Sequence, residues 1–383
     1  MAFLPDLDRP FVMLDDASSP SGQVTLFSDP LQMIEAETLA DVVPALDAVR
    51  EATRAGAHAA GFVSYDAGAA FDPAMPVTPS QGPLLWFGIF EAPRTLPSHR
   101  FAELLPGGDA AFDLGPLLPG TTEGQHAERI AALLDLIQAG DLYQANLTFA
   151  ANMQFHGDPL ALYARLRQRQ RAPYGAILST GTGLIFSFSP ELFFTLKGRD
   201  IACRPMKGTA ERHLDPDADA EAARSLAADP KQRAENLMIV DLMRNDLSRV
   251  AAAGSVQVPQ LFAVETYPTV HQMVSAVTAR RRDDVDAFDI LAALFPCGSI
   301  TGAPKIRAAQ VIAQLEDRPR GVYTGSIGHF APNGDASFNV AIRTLTFAPK
   351  DARLTIGLGS GIVADSDPLA EWKECLTKAR FLG

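Results

Sequence analysis

A glutamate and a lysine at the open end of a predicted hairpin are the first residues in this sequence that could do chemistry. Strand-like runs at 191–196 and 201–206 flank a turn at 197–200, and antiparallel pairing about that turn brings Glu191 within one residue of facing Lys207. An amine beside a carboxylate can take part in nucleophilic or acid–base chemistry. It can also be an exposed cross-strand ion pair, which contributes about 0.2–1 kcal/mol.

Three further carboxylates are candidates for holding a hard divalent ion. They are Glu235, in a helix predicted over 229–242, and Glu371 and Glu374, which share one face of a helix predicted over 368–382 with Lys378. Mg²⁺ suits one or two carboxylates together with water and an anionic substrate. The alternative for the last helix is an exposed Glu–Lys ladder, worth a few tenths of a kcal/mol.

Two glycine-containing segments could bind an anion. Residues 298–305 open a predicted helix with Thr301 near the N-cap, where free backbone N–H groups form an anion site, although the spacing is not that of a P-loop. Residues 357–361 form a glycine-rich strand, and glycine in a strand often marks close approach by a ligand. Arg343 lies in a strand predicted over 337–347 and is predicted to be opposite Gly357 in a second hairpin. Taken alone, the G-x-G-x-G pattern is more often a bulge.

Gln144 and Asn146 are alternate residues of a strand predicted to follow a helix at 125–139. They therefore share one face and could point polar groups into one site. Half-exposed polar strand residues are an equally good interpretation of this pattern.

These elements require a large core, and 383 residues exceed the usual size of a single one. The first hundred residues predict a mixture of helix and short strands, and the last hundred predict strands followed by one helix. The segment 105–122 is rich in Pro, Gly and Thr, which is typical of a linker. We therefore predict an N-terminal subdomain at 1–118 and a catalytic subdomain at 119–383.

Composition excludes several classes of partner. The net charge is −12 and the pI is near 5.1, so no surplus of Lys and Arg is available for a nucleic acid or an anionic membrane. No apolar run approaches the roughly 18 residues of a membrane helix, and the acidic, proline-broken start resembles no signal peptide. Three widely spaced cysteines are too few for a disulfide framework. A cytoplasmic protein with reduced cysteines is expected.

Several ordered motifs resemble the chorismate-utilising enzymes. They are Pro-Met-Lys-Gly-Thr at 205–209, the helix segment at 233–246, and the runs at 298–305 and 359–366, followed by Glu371 and Glu374. The resemblance covers about residue 120 to the end. It implies an α+β fold in which two antiparallel β-sheets form a sandwich with helices outside and the active site between the layers.

The resemblance also implies roles for individual residues. Glu235 and Glu374 would ligate Mg²⁺, with Glu371 nearby or bonded through water. Chorismate carries two carboxylates that need cationic and N–H partners. The residues that would surround it are Thr301, Tyr323, Arg343, Gly359, Gly361 and Lys378.

Two positions indicate which reaction the resemblance implies. Anthranilate-forming members usually have Ala at the position of Lys207, whereas aminodeoxychorismate-forming members have a nucleophilic Lys there. Members that add water have Lys at the position of Gln144, and members that add ammonia have Gln. The implied reaction is attack of Lys207 on C2 while Glu191 protonates the leaving C4 hydroxyl, followed by attack of ammonia on C4. The product, 4-amino-4-deoxychorismate, leads to 4-aminobenzoate and folate.

Gln272 departs from the family pattern, which commonly has His at this position, near the leaving group. A glutamine can donate a hydrogen bond but cannot supply a proton at neutral pH. His271 would face the opposite side of the strand, so we predict that Gln272 contacts the substrate.

The chain lacks the Gly-x-Cys-x-Gly motif of a glutaminase. Ammonia is therefore expected from solution or from a separate glutamine amidotransferase subunit. Two alternative functions remain open, an anthranilate synthase large subunit and a non-catalytic chorismate-binding subunit.

Overall fold

Two antiparallel β-sheets form the centre of the computed structural model, which describes residues 3–80, 82–107, 112–267 and 270–383. In chain order the strands are β1 (Phe11–Asp15), β2 (Gln23–Ser28), β3 (Gln32–Ala36), β4 (His58–Val63), β5 (Leu85–Phe90), β6 (Arg94–Pro97), β7 (Phe112–Leu114), β8 (Leu118–Pro119), β9 (Gln144–Gly157), β10 (Tyr174–Ser179), β11 (Leu184–Ser189), β12 (Leu192–Lys197), β13 (Asp200–Arg204), β14 (Met206–Glu211), β15 (Gln257–Thr266), β16 (Val270–Arg280), β17 (Gly302–Ala303), β18 (Ser326–Phe330), β19 (Ala336–Asn339), β20 (Thr344–Ala348) and β21 (Arg353–Ile362).

The helices are α1 (Leu39–Arg54), α2 (Gly68–Phe71), α3 (Ser98–Leu104), α4 (Glu123–Gln138), α5 (Pro159–Gln170), α6 (Pro216–Ala228), α7 (Pro230–Ser248), α8 (Ala287–Leu294), α9 (Lys305–Leu315) and α10 (Pro368–Thr377). No helix within the described ranges combines the length and the apolar character that a membrane span requires.

The first sheet has the order β17-β9-β21-β20-β11-β10-β1-β2-β6, with β7 and β8 also paired to β9. The second has the order β14-β16-β13-β12-β19-β18-β4-β5-β3, with β15 also paired to β16. A buried cluster that includes Val12, Phe27, Phe62 and Trp86 joins strands of both sheets. Larger apolar clusters pack α5 and α10 on the first sheet and α1, α7 and α8 on the second. The predicted sandwich with helices outside is confirmed.

The strands before residue 118 belong to both sheets. β1, β2 and β6 extend the first sheet beyond β10, whereas β3, β4 and β5 extend the second beyond β18. The first hundred residues thus complete two layers that later strands begin. The subdomain boundary at residue 118 stays a prediction.

Locally encoded elements match the sequence best. β12 and β13 pair as predicted about a turn in which Gly198 has φ +59°, with Lys197 opposite Asp200. Asp229 is the N-cap of α7, and its carboxylate accepts from the N–H groups of Lys231 and Gln232. That helix does not end near Asn245 as predicted. It continues to Ser248 because Asp246 and Leu247 are buried, with Asp246 2.5 Å from the Lys305 ammonium group.

Two elements predicted as continuous are divided. The strand expected over 337–347 is two strands, because the chain leaves the second sheet after β19 and enters the first at β20. Arg343 lies at this crossing with φ +50°. The strand expected over 201–206 is also divided, into β13 and β14, and Lys207 lies on β14, which pairs with β16. The helix predicted near Thr301 begins instead at Lys305, with Pro304 as N-cap.

Candidate active site

A glycine-lined face of β21 forms the floor of the candidate site. Gly357, Gly359 and Gly361 alternate along the strand, so their missing side chains leave one continuous strip. A Cβ on Gly357 would lie 2.0 Å from the Tyr323 ring, and one on Gly359 would lie 2.6 Å from the Thr148 side chain. Side chains from neighbouring elements therefore rest directly on the backbone of this strand. The close approach at Gly357 and Gly359 is made by side chains of the protein itself, and close approach by a ligand stays a prediction.

Gln144 and Lys207 meet at the Gly361 end of that strip. A Cβ on Gly361 would lie 2.7 Å from the Gln144 Nε2 atom and 3.1 Å from the Lys207 Nζ atom. Gln144 is fully buried, yet both polar atoms of its amide lack a hydrogen-bond partner among the described residues. A buried polar group without a partner is rare and is costly unless a ligand or water satisfies it. These atoms mark the point where a polar ligand belongs.

Glu191 lies close enough to Lys207 for their charges to interact, and its burial excludes the exposed ion pair considered above. Its side chain is only 3% exposed, and its Oε1 atom has no partner within the described part of the chain. Burial raises the pKa of Glu191 to about 7, against the opposing effects of a hydrogen bond from Ser299, the Lys207 charge and the Met206 N–H group. A carboxyl group with such a pKa can both give and take a proton near neutrality.

The Lys207 amine sits in an environment that favours its neutral form. Burial lowers the pKa of Lys207, and the nearby Lys378 charge acts in the same direction. Glu235, Glu191 and Glu374 oppose the shift. The neutral amine, which is the nucleophilic form, is therefore more accessible here than on an exposed lysine.

The predicted metal ligands lie around this cluster but do not form a closed cage. Glu374 is 2.8 Å from the Lys378 ammonium group, which also donates to the Gly359 carbonyl oxygen at 2.8 Å. Glu371 accepts from the Ser366 hydroxyl at 2.7 Å. In the ranges that the structure describes, no three His, Cys, Asp or Glu side chains are grouped so as to hold a metal ion.

Among the predicted metal ligands, Glu235 lies where its negative charge is disfavoured by burial and by other carboxylates, which a bound cation would offset. Burial raises its pKa, and the Asp365 and Glu371 charges act in the same direction, against Lys207 and Lys231. Carboxylate oxygens are the donors that Mg²⁺ prefers, and one or two are sufficient when water and substrate complete the shell. The donor set is therefore compatible with Mg²⁺ bound jointly with an anionic substrate.

Thr301 lies beside β9, the strand that carries Gln144, on the edge that does not pair with β21. Its hydroxyl donates to the Cys297 carbonyl oxygen at 2.9 Å, and its own carbonyl accepts from the Asn146 N–H group at 2.9 Å. Immediately after it, Gly302 pairs with Ala145. Thr301 therefore adjoins the site, with its hydroxyl engaged by the protein backbone.

The side chains of Arg343 and Gln272 bond residues other than Gln144 and Lys207. The Arg343 guanidinium donates to the Gln170 Oε1 atom at 2.5 Å. Gln272 donates to the Gly208 carbonyl oxygen at 2.8 Å and accepts from the Thr209 hydroxyl at 3.0 Å, so it braces β14 next to Lys207. His271 contacts Asp219 instead, at 3.0 Å. A substrate contact for Arg343 or Gln272 stays a prediction.

Ser299 is a site residue that sequence reasoning missed. Its hydroxyl is buried, contacts Cys297 Sγ at 3.3 Å and hydrogen-bonds the Glu191 carboxyl group. The available signal was its position inside the run at 298–305, two residues from Thr301. The glycine-containing pattern of that run indicates a backbone anion site and gives no separate sign of the Ser299 side chain.

Filling the Gly361 position should block the site without unfolding the protein. In Gly361→Ala the new methyl group must displace the ends of Gln144 and Lys207, and misplacement of reacting groups by about 1 Å can reduce rates by about a hundredfold. We expect kcat/KM to fall by about 10- to 100-fold with little change in Tm. Gly124→Ala is the matched control, since a Cβ there meets nothing within 4 Å. Equal activity of the two variants would contradict this geometry.

The sequence of residues 109–383 matches the family model described as chorismate binding enzyme. This match extends over more than half of the chain. The chain belongs to the chorismate binding enzyme family.

Two relatives of this chorismate binding enzyme carry different names. It is 45% identical over 257 residues to aminodeoxychorismate synthase component 1 of Salmonella typhimurium, a match of 67% of this chain and 56% of that protein. It is 43% identical over 262 residues to anthranilate synthase component 1 of Streptomyces coelicolor, a match of 68% of this chain and 51% of that protein. The chain thus spans about half the length of these curated relatives.

The fold of this chorismate binding enzyme is also found in solved structures. Anthranilate synthase component I from Streptococcus pneumoniae superposes with a TM-score of 0.82 at 25% identity, covering 100% of this chain and 94% of that one. The likeness includes the first hundred residues, which lie outside the family match.

Proposed function

We propose that this chorismate binding enzyme aminates chorismate at C4 with ammonia and forms 4-amino-4-deoxychorismate. The observation that carries the proposal is the meeting of Lys207 and Gln144 at Gly361, where the buried Gln144 amide lacks partners among the described residues, with the buried Glu191 close enough to Lys207 for their charges to interact. The names of its relatives, of which Salmonella typhimurium aminodeoxychorismate synthase component 1 is one, support the same reaction. Both 4-aminobenzoate and folate synthesis would use the product.

In the proposed first step Lys207 attacks the ring. The neutral Nζ atom forms a bond to C2, the two conjugated ring double bonds shift towards C4, and the C4 hydroxyl leaves as water with the proton of Glu191, so that the attached nitrogen becomes a charged ammonium group. The lowered pKa of Lys207 and the raised pKa of Glu191 favour the protonation states that this step requires. Lys207 is then joined to the ring, and Glu191 is a carboxylate.

In the second step ammonia attacks C4 and Lys207 leaves C2. The Glu191 carboxylate removes a proton from the incoming nitrogen and returns to its starting state. The buried Gln144 amide, whose oxygen and nitrogen have no hydrogen-bond partner among the described residues, is suited to orient ammonia beside C4. An amide oxygen accepts from ammonia and carries no charge that would repel an ammonium ion.

We propose that Glu235 and Glu374 hold Mg²⁺ together with the substrate, with Glu371 nearby or bonded through water. When bound, the ion would offset the negative charge of the ring carboxylate of chorismate. Lys378, which bonds Glu374 and the Gly359 carbonyl, would keep the last helix close to the glycine strip. Tyr323, Thr301 and Arg343 are proposed as the remaining substrate contacts.

Removal of the divalent ion should reduce both turnover and substrate binding. We expect chelation to reduce amination at least about tenfold, restored by added Mg²⁺, because one or two carboxylates alone bind the ion weakly without substrate. Chorismate should raise Tm more in the presence of Mg²⁺ than in its absence, and Glu235→Gln should lose that difference. Glu51→Gln, an exposed carboxylate on α1, is the control. A Mg²⁺-independent rate and Tm shift would contradict the assignment.

Ammonia is proposed to come from a separate glutamine amidotransferase subunit or from solution. The name of the relatives, component 1, implies a second component. We also propose that the enzyme acts in the cytoplasm, consistent with its three buried free cysteines.

One incubation tests the reaction against its rivals. The protein is mixed with chorismate, Mg²⁺ and an ammonium salt, and products are separated with and without an added lyase that converts 4-amino-4-deoxychorismate to 4-aminobenzoate. The proposal requires 4-aminobenzoate only when the lyase is present. Anthranilate would establish the alternative suggested by the Streptomyces coelicolor relative. Chorismate binding without turnover would establish a non-catalytic subunit.

A further inference from the structure

A buried arginine and glutamate replace a missing stretch of strand beside the site. On one side β9 pairs with β21 continuously from Ala145 to Gln154. On the other side the two-residue strand β17 covers only Gln144 and Ala145, and Thr301 bonds the Asn146 N–H group. The Asn146 carbonyl and the Thr148 N–H group would then be left unpaired, which is unfavourable in a buried strand.

Arg320 and Glu316 bond these two backbone groups. The Arg320 Nη2 atom donates to the Asn146 carbonyl at 2.6 Å, and the Thr148 N–H group donates to Glu316 Oε1 at 2.8 Å. The two side chains also bond each other in a fork, at 2.6 and 2.9 Å. Both are buried, with 3% and 6% of the side chains exposed.

The same guanidinium holds the other half of the site. Its Nη1 atom donates to the Ile300 carbonyl at 2.9 Å, directly before Thr301. The Arg320 Cζ atom lies 4.4 Å from the centroid of the Tyr65 ring. The Asp66 carboxylate accepts from the Gly321 N–H group, next to Arg320 in the chain, at 2.8 Å. One planar group therefore joins the turn at 298–301 to the start of β9, and its own orientation is fixed.

We propose that Arg320 is a positioning residue for amination, which acts by tying the Asn146 and Ile300 carbonyls together and thereby fixing Gln144. Asn146 is two residues from Gln144 on the same face of β9, so a shift of its carbonyl moves the Gln144 amide. The inference rests on the proposed function, because it assigns Gln144 to ammonia. The guanidinium reaches two carbonyls and a carboxylate at once from separate nitrogens, a geometry that the single ammonium group of lysine does not reproduce.

The test is a double-mutant cycle with Arg320→Lys and Gln144→Ala, measured as kcat/KM for ammonia at saturating chorismate. We expect Arg320→Lys to reduce this value about tenfold in the wild-type background and less than about twofold in the Gln144→Ala background, because residues acting through one group are not additive. Equal factors in both backgrounds would overturn the proposal, as would an unchanged rate in Arg320→Lys.

Arg167→Lys provides the matched control. Arg167 is also a buried arginine in a forked pair, with Asp15 at 2.6 and 2.9 Å, but it joins α5 to β1 away from the site. It should lower Tm and leave kcat/KM for ammonia within about twofold. If Arg320→Lys behaves like Arg167→Lys, Arg320 has only a structural role.

Two further comparisons keep the outcomes separate. If Arg320→Lys does not fold, as judged by circular dichroism, Glu316→Gln enters the same cycle, since it weakens the anchor of the guanidinium and keeps an acceptor for the Thr148 N–H group. If the wild-type protein forms no ammonia-dependent product, the proposed function fails. If the wild type aminates chorismate and the cycle is additive, the positioning role alone fails.

Discussion

Replacing Lys207 with alanine is expected to reduce 4-amino-4-deoxychorismate formation by about a hundredfold or more, because the variant lacks the proposed covalent nucleophile. Chorismate should still bind, since the glycine strip, Lys378 and the surrounding carboxylates are unchanged. The measurement is kcat with ammonium salt at saturating chorismate, with binding followed separately by the ligand-induced change in Tm.

Lys197→Ala is the control for this prediction, because Lys197 is an exposed lysine at the far end of the β12–β13 hairpin. Its activity should equal that of the wild type. A second readout is a covalent adduct: the wild-type protein incubated with chorismate without ammonia should gain the mass of chorismate less one water on the peptide that contains Lys207. Full para-amination by the Lys207→Ala protein would rule out the nucleophilic role.

The second large effect is expected for Glu191→Gln. A glutamine has nearly the same shape but can neither give nor take the proton, and loss of a general acid–base group reduces rates by about 10²–10⁴-fold. Glu265→Gln, a partly buried glutamate on β15 outside the cluster, serves as the control. Glu191→Gln activity within a few-fold of the wild type would contradict the assignment.

The pH dependence of the wild type should reflect the same group. Because burial raises the pKa of Glu191 to about 7, the acid form needed for departure of the hydroxyl is lost as the pH rises through about 7. The lowered pKa of Lys207 acts on the other limb, since the amine becomes nucleophilic as the pH rises. The rate must be measured at a constant concentration of free ammonia, which itself increases with pH. Glu191→Gln should lack the fall above about pH 7.

The same carboxyl group affects stability. Its pKa is higher in the folded protein, about 7, than its ordinary value of 4.5, so the folded state binds the proton more tightly and loses stability as the pH rises between these values. Glutamine does not titrate. The free energy of unfolding of Glu191→Gln relative to wild type should therefore increase from pH 4.5 to 8, by up to about 3 kcal/mol. Thermal unfolding at several pH values measures this difference.

The parts of the fold that were predictable depend on neighbours in the sequence. The register of β12 and β13 follows from one turn, and the start of α7 follows from Asp229 and Pro230. The crossing between β19 and β20 was not predictable, because the apolar pattern of 337–347 is the same whether the chain stays in one sheet or changes sheets. Only contacts with residues far away in the sequence decide between the two.

The candidate site shows the same division. Alternation correctly placed Gln144 and Asn146 on one face, and motif spacing indicated Lys207 and the glycine strip. The burial of Glu191, which raises its pKa, depends on packing that no local pattern encodes. Arg320 and Glu316 were missed because an i, i+4 pair of opposite charges is typical of an exposed helix surface. Their position beside the buried end of β9 depends on contacts between residues far apart in the sequence.

The pairing of β9 with β21 also determines when the site can exist during synthesis. β9 leaves the ribosome about two hundred residues before β21, and until then this largely buried strand lacks its partner on one edge from Ala145 to Gln154. Such an edge can pair with other chains, so the nascent protein is most vulnerable to aggregation over this interval. Gln144 and Gly361 come together only once β21 has been made, so the candidate site forms later than the elements that precede this strand.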